Sequence, residues 1–293
     1  MANQLRRSHF GWAVLTSALL FVFPVACSGN DVLVTLDEVT EISSPQSESF
    51  QLLLDADILY LGEVHNSVAD HAAQLEILES IYAQNPNVAI ALEMFQRPFQ
   101  PVIDRYLAGE ISEAELLEQT EYESRWGFPW EYYAPIVRFA LEKQLPLLAL
   151  NAPNEIVSQV SRQGLDSLEG DDFRYIAPLE AIDTSNVDYK NFVTNAFSHH
   201  SHDNFNFDNF FAAQVIWDET MAMTIADFKQ ANPDTQVVVL AGQGHVAYGY
   251  GIPDRVARRL GNEFTQKIVL LNPAPEIVEE HSGAIADLFW YTE

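Results

Sequence analysis

Five short apolar runs punctuate the chain: Ile58-Leu59-Tyr60-Leu61, Val88-Ala89-Ile90-Ala91-Leu92, Leu147-Leu148-Ala149-Leu150, Val237-Val238-Val239-Leu240 and Ile268-Val269-Leu270-Leu271. Unbroken runs of this length suit strands buried on both faces, as in a parallel sheet. Between the first two, Val68, Ala72, Leu75, Leu78 and Tyr82 recur at three- and four-residue steps, which predicts a helix, and Ser67 with Asp70 three places on is a plausible N-cap. Strand–helix–strand alternation predicts an α/β fold with a mostly parallel central sheet flanked by helices. Two stretches, about 96–145 and 154–236, are helical in pattern and too long for single crossovers. They predict a smaller helical subdomain over the carboxyl ends of the strands.

The residues that close the strands are polar at nearly every exit: Gly62-Glu63-Val64-His65, Glu93-Met94-Phe95, Asn151-Ala152-Pro153, Gly242-Gln243-Gly244-His245 and Asn272-Pro273. Ligands of open α/β sheets bind outside these ends. Glycine, two residues, then histidine occurs twice, and glycine permits a sharp turn or a close approach. Glu63 and His65 are two apart and point the same way in extended chain. Glu63, His65, Glu93 and His245 are therefore candidates to surround one divalent ion such as zinc, with Asn151, Gln243, Gln214 and Asp218 orienting them from behind. Gln214 and Asp218 are four apart and share a helix face. If Ser67 caps the next helix, the dipole at its N-terminus is expected to keep His65 neutral.

The first residues read as an address. Arg6 and Arg7 precede an apolar run from Phe10 to Ala26, and the polar Ser28-Gly29-Asn30 follow Cys27. The single cysteine stands where a lipoprotein signal places its acylated residue, although Pro24 occupies the position where leucine is usual. The expected organisation is an export signal over 1–26, a lipidated tether over 27–50 and one α/β domain over 51–293. The protein would then be anchored to a membrane on the periplasmic or cell-surface side.

With 42 acidic against 15 basic residues, the formal net charge is -27. That excludes a nucleic-acid binder, which needs a basic face to displace counterions. One cysteine among 293 residues excludes an intrachain disulfide and a Cys-rich zinc site. No Walker loop or Gly-x-Ser-x-Gly elbow is present. Gly242-x-Gly244-x-x-Ala247 fits a degenerate dinucleotide pattern, but Tyr248 to Pro253 interrupt where its helix should run. The aromatic stretch Trp126 to Tyr133 suits a flat hydrophobic ligand, and Tyr122, Tyr133, Tyr248 and Tyr250 are candidate iron ligands through phenolate oxygen. His199, His200 and His202 read as a surface loop.

In order and spacing, Leu61-Gly62-Glu63-Val64-His65-Asn66, Gln74, Leu92-Glu93-Met94-Phe95-Gln96-Arg97, Arg125-Trp126-Gly127, Asn151-Ala152-Pro153, Ala213-Gln214 with Asp218-Met221-Ala222, and Gly242-Gln243-Gly244-His245 resemble the ChaN-like, haem-binding-uptake proteins of the Tiki superfamily. The resemblance runs from about residue 52 to the C-terminus. It implies a parallel sheet flanked by helices, lipoprotein export, and haem binding with two haems stacked face to face across a homodimer. Related branches, the Tiki proteases and erythromycin esterases, imply hydrolysis at the same His and Glu rim. There Glu63 or Glu93 would activate water beside a metal. Haem carries propionates, so local cations such as Arg97, Arg125 or Arg138 are expected to offset the repulsive field of the chain.

Overall fold

The computed structural model describes residues 40–42, 44–45, 47–197, 206–261, 263–275 and 285–292. The export signal, Cys27 and the histidine tract at 199–202 lie outside them. Seven strands are described: β1 (Thr40–Ile42), β2 (Ile58–Glu63), β3 (Val88–Gln96), β4 (Leu147–Asn151), β5 (Gln236–Gly242), β6 (Gln266–Leu271) and β7 (Leu288–Trp290). They form one sheet in the order β1-β7-β6-β2-β5-β3-β4, and every neighbouring pair is parallel. The five apolar runs form its five neighbouring strands β6-β2-β5-β3-β4, with β4 at one edge. β1 and β7, three residues each, extend one edge, and β1 lies within the stretch read as tether.

The helices are α1 (Gln51–Leu54), α2 (Val68–Gln84), α3 (Gln100–Leu107), α4 (Glu113–Gln119), α5 (Tyr122–Arg125), α6 (Trp130–Lys143), α7 (Asn154–Gln163), α8 (Val187–Phe197), α9 (Phe207–Ala231), α10 (Gln243–Val246) and α11 (Ile252–Leu260). None of the described helices is long and apolar enough to cross a membrane.

Alternation along each strand feeds two cores. Leu59, Leu61, Ile90, Leu92, Val238 and Leu240 pack with Ile77 of α2 and Val137 of α6. Ile58, Tyr60, Val237 and Val239 face Met221 and Ile225 of α9 and Val256 of α11. Full burial of each such aliphatic chain contributes about 1.5–3 kcal/mol.

The two long helical stretches behave differently. Residues 96–145 contribute Ile103, Tyr106 and Leu116 to the first core. Residues 154–216 build a small core of their own around Val157, Val160, Ile176, Ala213 and Ile216. The 25-residue α9 runs through both, because its first half serves the small core and its second half the sheet. The two stretches meet where Arg125 grips Glu155 at 2.9 Å.

The outer edge of β4 is closed by one side chain. Gln100 donates from Nε2 to the Leu147 carbonyl at 2.8 Å and accepts from the Ala149 N–H at 2.7 Å. Its amide thus takes the place of a peptide unit on a neighbouring strand.

Candidate functional site

The register of β2 against β5 sets Glu63 opposite Gly242 and Gly62 opposite Ala241. Neither glycine has a positive φ, and the requirement at both is space. A Cβ on Gly62 would lie 2.8 Å from Val246 Cγ2, and one on Gly242 would lie 2.9 Å from both Cε1 and Nε2 of His65. The turn that carries His65 is pinned from α2. Asp70 accepts from the Val64 N–H at 2.8 Å, from the Ser67 hydroxyl at 2.8 Å and from Asn272 Nδ2 at 2.9 Å. Ser67 caps the helix by accepting from the Asp70 N–H, as its spacing predicts.

Glu63, His65, Glu93 and His245 meet. Together with Asp218 they alternate acid and base in one line. Asp218 Oδ1 lies 2.6 Å from His245 Nδ1, and His245 Nε2 lies 3.3 Å from Glu93 Oε1. The same Glu93 oxygen is 3.9 Å from His65 Nε2, and His65 Nδ1 is 2.7 Å from Glu63 Oε1. The second Glu93 oxygen accepts from the Gly242 N–H at 2.7 Å. Four elements converge here: β2 and the turn after it, β3, α9 and α10.

Electrostatics fix the charge states. Burial disfavours charge on Glu63, His65, Glu93 and His245, but their neighbours outweigh it. Glu93 falls to about 2 because His245 and His65 face it and Gly242 donates to it. His245 rises to about 10 because Glu93 and Asp218 flank it. Glu63 is lowered by its bond to His65 and by the nearby His71. His65 is raised, with Glu93 and Glu63 overcoming its burial. The expectation of a neutral His65 is thus corrected: two carboxylates within reach outweigh the pull of one helix dipole. No group of three His, Cys, Asp or Glu among the described residues is arranged to hold a metal ion.

Supporting groups surround the line. Glu63 also accepts from the Tyr133 hydroxyl at 2.8 Å and from Gln74 Nε2 at 2.6 Å. His71 bridges the His65 carbonyl at 3.1 Å and Gln74 Oε1 at 3.2 Å. Tyr189, fully buried on α8, donates to Asp218 Oδ2 at 2.7 Å and accepts from Gln214 Nε2 at 3.2 Å. Gln214 Nε2 is also 3.1 Å from His245 Nδ1. Gln214 and Asp218 therefore reach the site as their spacing predicts. Asn151 instead accepts from the Ala152 N–H, and Gln243 donates to the Leu271 carbonyl. Neither His71 nor Tyr189 stands out in the sequence. The i, i+3 pair His71 and Gln74 in the first turns of α2 is a weak local signal, and Tyr189 has none.

Aromatic rings wall the rim. Trp126 and Phe128 pack on His65 with centroids at 4.9 and 5.1 Å, and Trp217 lies 6.1 Å from His245. The tyrosines divide. Tyr133 is buried, its hydroxyl donates to Glu63, and burial and Glu63 drive its pKa far up. Tyr248 and Tyr250 are half-buried and stacked at 5.2 Å, and Tyr248 holds a left-handed φ of 58°. Such a backbone in a non-glycine residue costs about 1–3 kcal/mol and concentrates at functional sites. The three arginines expected to offset propionates are otherwise engaged: Arg125 by Glu121 and Glu155, Arg138 by Glu113, and Arg97 by the Tyr175 carbonyl.

The chain is similar in fold to several solved structures. The structure of cofacial haem binding to ChaN of Campylobacter jejuni aligns with a TM-score of 0.59 at 19% identity, over 82% of this chain and 89% of that one. The type III effector HopBA1 aligns with a TM-score of 0.50 at 11% identity, over 89% of this chain and all of that one. An erythromycin esterase variant in its open conformation reaches 0.45 at 15% identity, over 81% and 77%. At these identities the likeness is one of fold. A search of curated protein sequences returns no match. Residues 50–256, well over half of the chain and including Glu63, His65, Glu93, Asp218 and His245, match the model described as haem-binding uptake, Tiki superfamily, ChaN, and the chain belongs to that family.

Proposed function

We propose that this is an exported, membrane-tethered protein that binds haem for uptake, taking it at the strand-exit rim and holding the membrane through a lipid on Cys27. The observation that carries the reading is the family match over residues 50–256. The donor set fits the group. Haem, if bound, would supply an iron that an oxygen or nitrogen side-chain donor could hold. The phenol oxygen is assigned in this reading to Tyr248, on strained backbone and stacked on Tyr250, with Tyr250 beside it. Trp126 and Phe128 offer apolar faces to the macrocycle. ChaN of Campylobacter jejuni binds haem cofacially, and the same pairing across a homodimer is proposed for this chain. Metal-dependent hydrolysis is not carried forward, because no three of the His, Cys, Asp and Glu side chains among the described residues are arranged to hold a metal ion.

Titration of the purified protein with hemin tests the reading. A saturable Soret change is expected, surviving His65→Ala and His245→Ala and changed in position by Tyr248→Phe. Absence of any Soret change in the unaltered protein would sink the proposal. Cys27→Ser is expected to move the protein from the membrane to the soluble fraction of cells.

A further inference from the structure

Glu219 of α9 and Arg255 of α11 face each other in full burial. The guanidinium does not fork onto the carboxylate, which is the arrangement that makes such pairs strong. Its Nε stands 3.2 Å from Glu219 Oε1 without hydrogen-bond geometry, and its other donors go to the backbone. Nη1 donates to the Tyr250 carbonyl at 2.6 Å and to the Gly251 carbonyl at 2.9 Å, and Nη2 donates to the Asp183 carbonyl at 3.2 Å. Glu219 accepts in turn from the Asp183 N–H at 3.2 Å, from Arg258 at 2.5 Å and from Arg259 at 2.7 Å. An apolar pair of similar volume would often hold two helices together as well or better. What a planar fork of fixed donors adds is position.

The segment so held is the turn over 248–251, which leads from α10 into α11 and stands against the acid–base line. A Cβ on Gly251 would lie 2.2 Å from the His245 carbonyl oxygen and 3.1 Å from Asp218 Oδ1. The Arg255 guanidinium also lies over the ring of Tyr189 at 5.4 Å, and Tyr189 donates to Asp218. We infer that Arg255 is a positioning residue of the rim: anchored by Glu219, it fixes the turn over 248–251 and with it the place of Tyr248 and Tyr250 beside His245. This rests on the haem-binding reading above and names the side chain that aims the tyrosines which that reading uses. Arg258 supplies the contrast, because it meets the same carboxylate while its partners are Glu219 and Asp254 and not the turn.

The test compares Arg255→Lys with Arg258→Met in the purified protein, by hydrogen exchange over residues 247–251 and by hemin titration. Each variant loosens the grip on Glu219, but only the first loses the planar fork, which a lysine ammonium does not reproduce. In Arg255→Lys, exchange over 247–251 is expected to rise about tenfold or more, the scale of one lost hydrogen bond to a charged group. The Kd for hemin should rise by a similar factor and the Soret maximum should move. Arg258→Met should leave exchange at the turn, hemin affinity and Soret position as they are in the unaltered protein. Unchanged exchange in Arg255→Lys overturns the inference, as does equal loosening in both variants, or a loosened turn that binds hemin as before. Should Arg255→Lys not fold, the unaltered protein decides: exchange over 247–251 is expected to be as slow as over α11, and exchange about a hundredfold faster than that overturns the clamp. If the unaltered protein gives no Soret change, the haem-binding reading fails by itself, and the exchange comparison alone decides whether Arg255 holds the turn.

Discussion

The ring of His65 occupies the space that a side chain on residue 242 would fill. A Cβ on Gly242 would stand 2.9 Å from the imidazole Cε1 and Nε2. Gly242→Ala is therefore expected to push the His65 ring off its seat between Glu63 and Glu93, at a cost of about 1–3 kcal/mol. Thermal unfolding measures the cost, and a shifted His65 imidazole resonance in NMR reports the displacement. An unchanged resonance would mean that the backbone yields instead of the ring.

Asp218 and Glu93 hold His245 protonated from opposite sides. Asp218→Asn removes one of those charges, so the pKa of His245 should fall from about 10 toward its ordinary 6.5. Stability should drop by about 3–5 kcal/mol, as when a buried ion pair loses one partner. Tyr189→Phe deletes only the hydroxyl on Asp218 and should cost about 1 kcal/mol. Imidazole titration by NMR and chemical denaturation separate the two effects.

Stability should depend on pH from both sides. The folded pKa of His245 is raised, so its contribution is complete below 6.5 and is lost as pH rises toward about 10. That of Glu93 is depressed, so its contribution is complete above 4.5 and is lost as pH falls toward about 2. For these two groups the melting temperature should be highest between about 4.5 and 6.5 and decline through the alkaline range. His245→Asn should flatten the alkaline decline, and an unaltered slope in that variant would assign the decline to other groups.

Gln100 guards the β4 edge. Gln100→Ala leaves the Leu147 carbonyl and the Ala149 N–H without their partner, which should cost about 1–3 kcal/mol. An open edge also invites strand addition from a second chain. Light scattering after size exclusion should then show concentration-dependent association that the unaltered protein lacks in the absence of haem.

Much of the site is readable because local rules and global fold agree there. The five buried runs announce their strands, and parallel order sends Glu63, Glu93 and His245 to one end. The four-residue step from Gln214 to Asp218 places both on His245. The unreadable parts are long-range. Tyr189 reaches Asp218 across 29 positions from an ordinary amphipathic helix. The charge on His65 depends on Glu93, 28 residues away, and a local argument from the helix dipole misses it. β3 runs on to Gln96 although Glu93 and Gln96 break its apolar pattern, because their side chains find partners at the rim. β7 is too short for its periodicity to count and is defined by pairing with β6 and β1.

A single oxygen of Glu93 lies against both imidazoles. The two histidines are thus halves of one titrating unit, and a proton leaving one ring changes how firmly the other keeps its own. Replacing either alone will register both the missing ring and the altered grip of its twin, so the two single effects should fail to sum to the double.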